Sequence, residues 1–363
     1  MGGIAGIQYS KTSLNMDKQM LVRKMLDTLK HRALHCHVEA VKPDSVLGVR
    51  YHQQEDRSQV MACDSSRNLW VILDGEVFHS LNTHESKDKA ISDAQIVLQE
   101  YRQRGLEFLN QIDGSYSIAI WDGEQNRLLL ARDRFGVKPL FYLKLSNIII
   151  FASEIKAILA SKLYGKSVNF RALNNFLSYG YVPNPDTLFE SIKQVRPGHL
   201  LICQDGEITE QAYWKFSYRQ DQPNKPEAYY KKKFLDVFET AVSRRLKRHP
   251  ECGAFLSGGL DTSGVVAVMH KLNQVPFKVF TAGFEEERYN EIGDAKIVAD
   301  HMCLDHITTI LKVDDDFPQL LEKIVWHHDA PFADTSAIPS YFAAKLAKEN
   351  VNTVLTGDFP DQL

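Results

Sequence analysis

The sequence has few cysteines and no cysteine spacing that would bind a metal or form a disulfide framework. Five cysteines occur among the 363 residues, without a CxxC pair, at Cys36, Cys63, Cys203, Cys252 and Cys303. A reducing compartment suits this usage best. No run approaches the roughly 18 apolar residues that cross a bilayer, and the first residues lack the basic and apolar regions of a secretory leader. We therefore expect a cytoplasmic protein without a membrane partner.

An excess of charge of one sign is also absent. Lys and Arg number 43 and Asp and Glu number 46, which gives a net charge of -3. No global positive field can then hold nucleic acid. The chain also lacks a repeat with a period of roughly 20–50 residues, which excludes solenoids and propellers. At roughly 100–200 residues per domain, the length predicts two domains.

The first part of the chain, residues 2–210, has the sequence pattern of an antiparallel α+β domain. Short apolar or alternating runs recur between turn residues and predict strands at 70–73, 116–121, 127–131, 148–152 and 199–203. Helices are expected at 17–30, 93–104 and 170–178. The last two of these begin behind Ser92 and Asn169, which are good N-cap residues.

A polar stretch with two prolines, within residues 211–226, predicts a linker before a long helix at 227–248. From residue 227 to 363, apolar strands alternate with helices. The strands are expected at 253–256, 278–282, 307–311 and 353–356, and the helices at 262–272, 291–301, 316–326 and 336–349. This alternation is typical of an α/β parallel-sheet nucleotide-binding domain, in which the ligand binds at the carboxyl ends of the strands.

The most informative stretch is Ala254-Phe-Leu-Ser-Gly-Gly-Leu-Asp-Thr-Ser263, where a predicted strand enters a glycine-rich turn that opens a helix. Gly258 and Gly259 let the backbone approach phosphate oxygens closely, and the helix dipole favours negative charge. Hydroxyl donors are supplied by Ser257, Thr262 and Ser263. The turn therefore predicts an anion site.

Asp261 in this turn would repel phosphate unless a divalent cation lay between them, so we assign it as a Mg²⁺ ligand. No Lys follows the glycines, which excludes the loop that grips the β- and γ-phosphates of ATP in P-loop proteins. The motif instead resembles the pyrophosphate loop of enzymes that split ATP between the α- and β-phosphates.

Further motifs fall in the order seen in glutamine-hydrolysing asparagine synthetases, which the whole chain resembles. The first part carries Gly3-Ile-Ala-Gly, Asp74-Gly-Glu, Ala131-Arg-Asp-Arg-Phe-Gly-Val-Lys-Pro-Leu-Phe-Tyr142, Phe151-Ala-Ser-Glu-Ile-Lys-Ala-Ile158, Gly180-Tyr-Val-Pro183 and Pro197-Gly198. The second part adds Phe280-Thr-Ala-Gly-Phe284, Ala330-Pro-Phe-Ala-Asp334 and Thr356-Gly-Asp358. The resemblance implies a class II glutamine amidotransferase domain of the N-terminal-nucleophile type, with stacked antiparallel sheets flanked by helices, followed by an ATP-pyrophosphatase synthetase domain.

The resemblance also implies substrates and a site. The substrates would be ATP, aspartate, and ammonia or glutamine, and the cofactor would be Mg²⁺ held by Asp261 and Asp361. The ATP-binding residues would be Leu256, Ser257, Gly258, Gly259, Asp261, Thr262, Ser263, Ala282, Thr356 and Gly357. A homodimer stays open.

The amidotransferase part departs from the family where glutamine would react. Gly2 stands in place of the nucleophilic Cys, so no thiol is available. The Arg that clamps the substrate carboxylate becomes Tyr51, and the adjacent Arg50 would point to the opposite face of a strand. Asp74 replaces an Asn that helps to stabilise the oxyanion, and a carboxylate cannot donate a hydrogen bond there.

Other positions of that glutamine pocket, Gly75, Glu76 and Asp93, are kept. We therefore expect an asparagine synthetase-like ligase whose glutaminase half is inactive, so that amidation uses free ammonia. Two alternatives stay open. One is another adenylating amide-forming ligase of the lactam synthetase or peptide cyclase type, and the other is a non-catalytic remnant.

The end of the sequence also differs from the family pattern. Phe359 and Pro360 replace two glycines that approach pyrophosphate, and the family continues well beyond residue 363 with helices that carry a catalytic Lys. The resemblance thus predicts a synthetase domain that is incomplete at its C-terminus.

Two weaker signals have ordinary interpretations beside the functional ones. His31, His35, Cys36 and His37 crowd one segment, but consecutive side chains diverge and no second ligand cluster accompanies them. Asp329 and Asp334 flank Pro331 in a loop, and either they position substrate or the loop simply ends a helix.

Overall fold

The computed structural model describes residues 2–9, 17–52, 57–79, 91–218, 225–273, 276–312 and 317–358. The chain forms two compact units, which are described separately below. The first comprises Met1–Tyr218 and His328–Ala333, and the second comprises Arg219–His327 and Asp334–Leu363. No helix within the described ranges has both the length and the apolar character that crossing a membrane requires.

The first unit is built mostly from short strands. Its strands are β1 (Gly3–Tyr9), β2 (His35–Lys42), β3 (Ser45–Tyr51), β4 (Met61–Cys63), β5 (Leu69–His79), β6 (Ile112–Asp122), β7 (Arg127–Arg132), β8 (Phe141–Leu145), β9 (Ile148–Ala152), β10 (Ile192–Gln194), β11 (His199–Gln204) and β12 (Glu207–Ala212). Its helices are α1 (Lys18–Asp27), α2 (Arg57–Val60), α3 (Asp93–Arg104), α4 (Ile155–Ala160) and α5 (Phe170–Tyr179), with a 3₁₀ helix at Gly105–Asn110.

These strands form two six-stranded antiparallel sheets. The first has the order β10-β8-β9-β1-β3-β2 and the second has the order β12-β11-β7-β6-β5-β4. Ile4 of the first sheet and Ile72 of the second belong to one buried cluster, so the sheets pack face to face. Helices α1 and α4 cover the outer face of the first sheet, and α3 covers that of the second. Strand β1 is therefore buried on both faces.

Helix ends in this unit follow local sequence signals. Helix α3 begins at a capping box, in which the Ser92 hydroxyl accepts from the backbone N–H of Gln95 and the Gln95 side chain accepts from that of Ser92. Asn169 caps α5 by accepting from Ala172 N. Helix α5 ends at Gly180, whose φ of 79° is the left-handed conformation that glycine adopts at low cost. The predicted helix starts behind Ser92 and Asn169 are confirmed.

The second unit contains one parallel sheet with helices beside it. Its strands are β13 (Gly253–Phe255), β14 (Lys278–Phe284), β15 (Asp305–Leu311) and β16 (Val354–Leu355). Its helices are α6 (Glu227–Arg248), α7 (Leu260–Leu272), α8 (Ile292–His301), α9 (Phe317–His328) and α10 (Ala337–Lys348), with a 3₁₀ helix at Glu287–Tyr289. The sheet order is β15-β14-β13-β16, and every pair is parallel.

The core of the second unit lies between its sheet and α6, α7 and α8. Val266 of α7, Val279 of β14 and Ala295 of α8 are fully buried in one apolar cluster. The predicted fold class, an α+β part followed by an α/β parallel-sheet part, is confirmed. The strands of the first unit outside the predicted ranges are β1, β2, β3, β4, β8, β10 and β12. In β2 the residues are mostly half-buried and show no clear apolar alternation.

Candidate active site

The glycine-rich turn of the second unit, residues 256–259, lies where β13 ends and α7 begins. Strand β14 borders β13 on one side and β16 borders it on the other. The strand order therefore reverses between β13 and β16, and ligands of open parallel sheets bind in the crevice at such a point, beyond the carboxyl ends of the strands. The turn occupies that place.

The backbone conformation of this turn and the close packing around it both require a glycine at Gly258. Its φ of 83° is a conformation that side-chain-bearing residues rarely adopt. A Cβ at this position would lie 2.6 Å from Asp294 Cβ and 2.8 Å from Ala295 N, at the start of α8. The turn thus packs against helix α8, and no side chain lies between them at Gly258.

Hydroxyl groups surround the start of α7. Thr262 Oγ1 accepts from Ser257 N at 3.2 Å and lies 2.9 Å from Ser257 Oγ. Ser257 Oγ in turn accepts from Gly259 N at 3.2 Å. The Ser263 hydroxyl oxygen is buried and has no hydrogen-bond partner among the described residues. Hydroxyls and free helix N–H groups together can bind the oxygens of an anion.

Gly357 brings the segment after β16 against the same helix start. A Cβ on Gly357 would lie 2.6 Å from Thr262 N and 2.8 Å from the carbonyl carbon of Asp261. Asp261 is half-buried in the first turn of α7. Thr262, which follows the turn closely in sequence, and Gly357, about 100 residues further along the chain, thus lie together, as expected for residues of one site.

The remaining predicted nucleotide residues lie at the same edge of the sheet. Leu256 is 1% exposed, and its backbone N–H donates to Phe280 O on β14 at 3.0 Å. Ala282 is half-buried on β14, and Thr356 is exposed after β16. Asp361, the second predicted metal ligand, lies outside the described residues. Within the described ranges, no three His, Cys, Asp or Glu side chains form a metal-binding cluster.

The first unit places Asp74 at the centre of a buried polar site on β5. The Asp74 side chain is 0% exposed, and its Oδ2 accepts from Arg32 NH2 at 2.9 Å and from Ser153 Oγ at 3.2 Å. Its other oxygen, Oδ1, is buried and has no hydrogen-bond partner within the described ranges. A buried carboxylate oxygen without a donor is costly, so it calls for an explanation.

Gly2 lies beside this carboxylate. Its carbonyl oxygen accepts from Arg32 Nε at 2.6 Å. A Cβ on Gly2 would overlap the carbonyl oxygen of Arg50 and would lie 4.0 Å from Asp74 Oδ1. The backbone here has no room for a side chain.

The other predicted residues of the glutamine pocket have structural contacts. The guanidinium of Arg50, 1% exposed, donates to Leu26 O, to the carbonyls of the turn after α1, and to Asp27 Oδ1 at 3.0 Å. Asp93 Oδ2 accepts from Val77 N at 3.0 Å. Gly75, with a φ of 126°, packs tightly against β6, and Glu76 is half-buried beside it. The guanidinium of Arg50 thus fixes the end of α1.

Asp74 is one end of a chain of ion pairs that we call the Asp74 network: Arg32, Asp74, Glu154, Lys156 and Asp329. Arg32 NH1 donates to Glu154 Oε1 at 3.0 Å, and Lys156 Nζ donates to Glu154 Oε2 at 2.5 Å. Lys156 Nζ also lies 3.3 Å from Asp329 Oδ1. The network runs from Asp74 on β5 to the loop His328–Ala333.

Asp329 ends the network by capping α4. Its carboxylate accepts from the backbone N–H groups of Ile155 and Lys156, where Glu154 at the N-cap position makes no side-chain cap bond. Its φ of 60° turns the loop so that the carboxylate reaches the helix. Of the two interpretations left open for Asp329, the structure favours a structural role. Asp334 has no such contact and accepts from Ser336 N.

Burial and charge act in opposite directions on two carboxyl groups of the network, those of Glu154 and Asp329. Burial disfavours ionisation of Glu154, but hydrogen bonds from His31 and Lys156 and the positive charges nearby outweigh it and lower the pKa to about 2. Burial raises the pKa of Asp329 above its usual range despite Lys156 and the two backbone N–H groups. Glu154 is thus the firmly ionised centre of the network.

Comparison with known proteins decides the family. A family model described as glutamine amidotransferase domain matches residues 1–214, and one described as asparagine synthase matches residues 233–363. The chain belongs to the family that joins these two domains. The matched regions contain the Asp74 network and the glycine-rich turn of this amidotransferase–synthase family member.

Curated relatives match most or all of the chain and are longer than it. Glutamine-hydrolyzing asparagine synthetase 1 of Bacillus subtilis is 32% identical over an alignment of 380 positions, which covers 100% of this chain and 58% of the relative. Glutamine-hydrolyzing asparagine synthetase 3 of the same organism is 27% identical and covers 100% of this chain and 62% of the relative. The amidase chry2 of Gibberella zeae is 28% identical, with 82% and 47% covered. The chain thus spans about half the length of the curated relatives it matches.

The sequence analysis missed most of the Asp74 network of this family member. Glu154 and Lys156 lie in the quoted motif Phe151–Ile158, and Arg32 follows His31, so each residue was visible. Their pairing was not, because Arg32 and Glu154 are separated by 122 residues. A single sequence holds no signal for that contact.

Proposed function

We propose that this chain carries the ATP-dependent, amide-forming chemistry of an asparagine synthetase-type ligase, with ammonia as the nitrogen donor. The observation that supports it most is the glycine-rich turn at the point of the sheet where the strand order reverses. There Gly258, Gly357 and the start of α7 leave bare backbone beside hydroxyl groups. That arrangement suits a diphosphate better than an apolar ligand.

Each residue of the turn has a role in this proposal. The hydroxyls of Ser257, Thr262 and Ser263 and the N–H groups at the start of α7 bind pyrophosphate oxygens. Asp261 in the first turn of α7 would hold Mg²⁺, with Asp361 as the second ligand, because a carboxylate beside phosphate oxygens suits this ion. When bound, the ion would neutralise part of the negative charge of the phosphates.

The substrate follows from the relatives' names and is part of the proposal. An aspartate side-chain carboxylate attacks the α-phosphorus of ATP, and pyrophosphate leaves. Ammonia then attacks the acyl carbon of the resulting acyl-adenylate, the nitrogen gives up one proton to water, and AMP leaves with the electron pair of the broken C–O bond. Leu256 and Ala282, beside the turn, would contact the adenine, and Thr356 and Gly357 would close the nucleotide site.

Glutamine is not the nitrogen donor in this proposal. Gly2 has no thiol to attack the amide, and its surroundings have no room for one. Asp74 presents oxygens where an oxyanion needs N–H donors. The guanidinium of Arg50 is occupied by carbonyl groups and Asp27, so it does not replace the missing carboxylate clamp. Three separate requirements of glutamine hydrolysis are therefore unmet.

Aspartate-stimulated exchange of labelled pyrophosphate into ATP tests the proposal. We expect exchange that requires Mg²⁺ and falls by about 100-fold or more in Asp261→Asn, because a lost ligand to a charged transition state costs several kcal/mol. Asp300→Asn is the matched control, because this exposed α8 residue pairs with Lys296 one turn away. A folded wild-type sample that gives no exchange at saturating ATP, Mg²⁺ and aspartate would refute the proposal.

A further inference from the structure

The glycine-rich turn begins at Leu256, where the chain leaves the parallel sheet. Strand β13 ends at Phe255, and the backbone N–H of Leu256 still donates to Phe280 O on β14 at 3.0 Å. The carbonyl oxygen of Leu256, in contrast, is bonded by a side chain, because the Thr281 hydroxyl on β14 donates to it at 2.5 Å. Leu256 is 1% exposed and Thr281 is 4% exposed. A buried backbone acceptor at the end of a strand needs such a donor.

His306 on β15 determines the direction of this hydroxyl bond. Its Nε2 lies 2.8 Å from Thr281 Oγ1. A threonine hydroxyl has a single hydrogen, and Leu256 O, which can only accept, takes it. Thr281 Oγ1 therefore accepts from His306, whose ring carries a hydrogen on Nε2. Burial and the charge of Lys296 lower the pKa of His306 despite Asp300, so at pH 7 the ring is neutral and only one of its two tautomers fits.

The bond to Leu256 O also orients the N–H group that follows it. Leu256 O and Ser257 N belong to one planar trans peptide group, in which the oxygen and the hydrogen point in opposite directions. Ser257 N donates to Thr262 Oγ1 at 3.2 Å. The peptide group is thus bonded at both ends, to Thr281 on β14 and to Thr262 in the first turn of α7. A rotation of this peptide group would break both bonds.

The direction of these bonds decides which hydrogens the turn can offer to a ligand. Thr262 Oγ1 accepts from Ser257 N, and Ser257 Oγ accepts from Gly259 N at 3.2 Å, so each hydroxyl keeps its own hydrogen for donation. One of these hydrogens can bridge the 2.9 Å between the two hydroxyl oxygens. Among the described residues, the other meets no stronger acceptor than Gly259 O, which lies 3.4 Å from Thr262 Oγ1. That hydrogen is therefore available to an anion.

We propose that His306 and Thr281 are positioning residues for the glycine-rich turn. The Nε2–H group of His306 directs the Thr281 hydroxyl to Leu256 O, and the peptide group held there donates to Thr262, which leaves a hydroxyl hydrogen for the phosphates. Neither His306 nor Thr281 touches substrate in this proposal. The role in phosphate binding rests on the proposed function, whereas the chain of hydrogen bonds does not.

Hydrogen exchange of the Ser257 amide in the ligand-free full chain tests the hydrogen bonds. Thr281→Val keeps the shape of the side chain and removes the hydroxyl, so we expect this amide to exchange faster by about tenfold or more. Thr281→Ser keeps a hydroxyl and should keep the wild-type rate. The amide of Val266, in the buried cluster of the same unit, is the reference for general opening and should not follow. An unchanged Ser257 rate in Thr281→Val, or an equal increase at Val266, would overturn the proposal.

The hydrogen on His306 is tested separately by NMR of the ¹⁵N-histidine-labelled chain at pH 8, where an ordinary histidine is neutral. The signal of this ring is assigned by its loss in His306→Gln, and we expect its hydrogen on Nε2. His306→Gln can still present a side-chain N–H group and should keep the slow exchange of the Ser257 amide, whereas His306→Leu should increase that rate. A hydrogen found on Nδ1, or equal Ser257 rates in the two variants, would overturn the assignment to His306.

The ATP dependence of pyrophosphate exchange distinguishes positioning from general stability. Thr281→Val should raise the ATP concentration for half-maximal exchange by about tenfold, and Thr281→Ser should not. Thr187→Val is the matched control, because Thr187 is also 4% exposed and its hydroxyl also donates to a backbone carbonyl, that of Ile192, at 2.8 Å. It should lower the unfolding midpoint and keep the ATP dependence. An identical ATP dependence in Thr281→Val and wild type would overturn the positioning role. A wild type without exchange would refute the proposed function, while the Ser257 amide rates would still decide the hydrogen bonds.

Discussion

Two residues of the first unit, Gly2 and Asp74, depart from the family motifs, and their effects depend on their surroundings. The carbonyl oxygen of Arg50 occupies the space of a Gly2 side chain, and Arg32 holds both the Gly2 carbonyl and the Asp74 carboxylate. Replacing either Gly2 or Asp74 alone therefore leaves the contacts around the other residue unchanged.

Gly2→Cys alone is expected to give no glutamine hydrolysis. The new Cβ would overlap a backbone oxygen, and Asp74 would still oppose an oxyanion. The measurement is glutamate release from glutamine, with circular dichroism of the variant as the check on folding. Glutamate formation by this single variant above that of the wild type would show that the pocket is still competent.

Glu154 predicts a pH dependence of the free energy of unfolding. Its pKa is lowered from the ordinary 4.5 to about 2, so the folded state favours the ionised carboxylate. The stabilisation is complete above about pH 4.5 and is lost as the pH falls toward 2, by up to about 3 kcal/mol. In Glu154→Gln, the part of the decrease in the free energy of unfolding that comes from protonation of this carboxylate should disappear.

Denaturant titrations of wild type and Glu154→Gln between pH 7 and pH 2 measure this difference. Glu207→Gln is the control, because the Glu207 side chain is 83% exposed and its pair with Lys144 should contribute little. If the two variants lose stability over the same pH range and to the same extent as wild type, Glu154 is not the centre of the Asp74 network.

At the scale of elements, the turn between β13 and α7 depends on Gly258. Gly258→Ala would strain a φ of 83° and push a methyl group into α8, with an expected cost of about 1–3 kcal/mol and loss of pyrophosphate exchange. Gly293→Ala is the matched control, because a Cβ at Gly293 would have no atom within 4 Å and the residue lies inside α8. That substitution should be neutral or stabilising. Equal exchange activity in the two variants would contradict this role of the turn.

Elements with strong local signals could be predicted from the sequence, and contacts between distant elements could not. Helix α3 spans Asp93–Arg104 as predicted, because Ser92 and Gln95 form a capping box, and α6 spans Glu227–Arg248 as predicted after two prolines. Strand β2 was missed because it has no clear alternation, and the buried strands β1 and β3 were missed as well. The cap that Asp329 places on α4 joins residues 174 positions apart, which local patterns do not encode.

At the scale of the molecule, the division of the chain follows contacts as well as chain order. The sequence predicts domains at residues 2–210 and 227–363 with a linker at 211–226, and this remains a prediction. The structure assigns His328–Ala333 to the first unit although its neighbours in sequence belong to the second. Asp329 explains this, since its carboxylate is bonded to α4 of the first unit.

The central claim is that the turn before α7 binds the phosphates of ATP. Hydrogen exchange of the full chain with and without ATP and Mg²⁺ tests it most directly. The amides of residues 257–263, together with that of Gly357, should exchange more slowly when ATP is present, while those of α3 should not change. Protection confined to other segments, with the turn unchanged at saturating ATP, would contradict the claim.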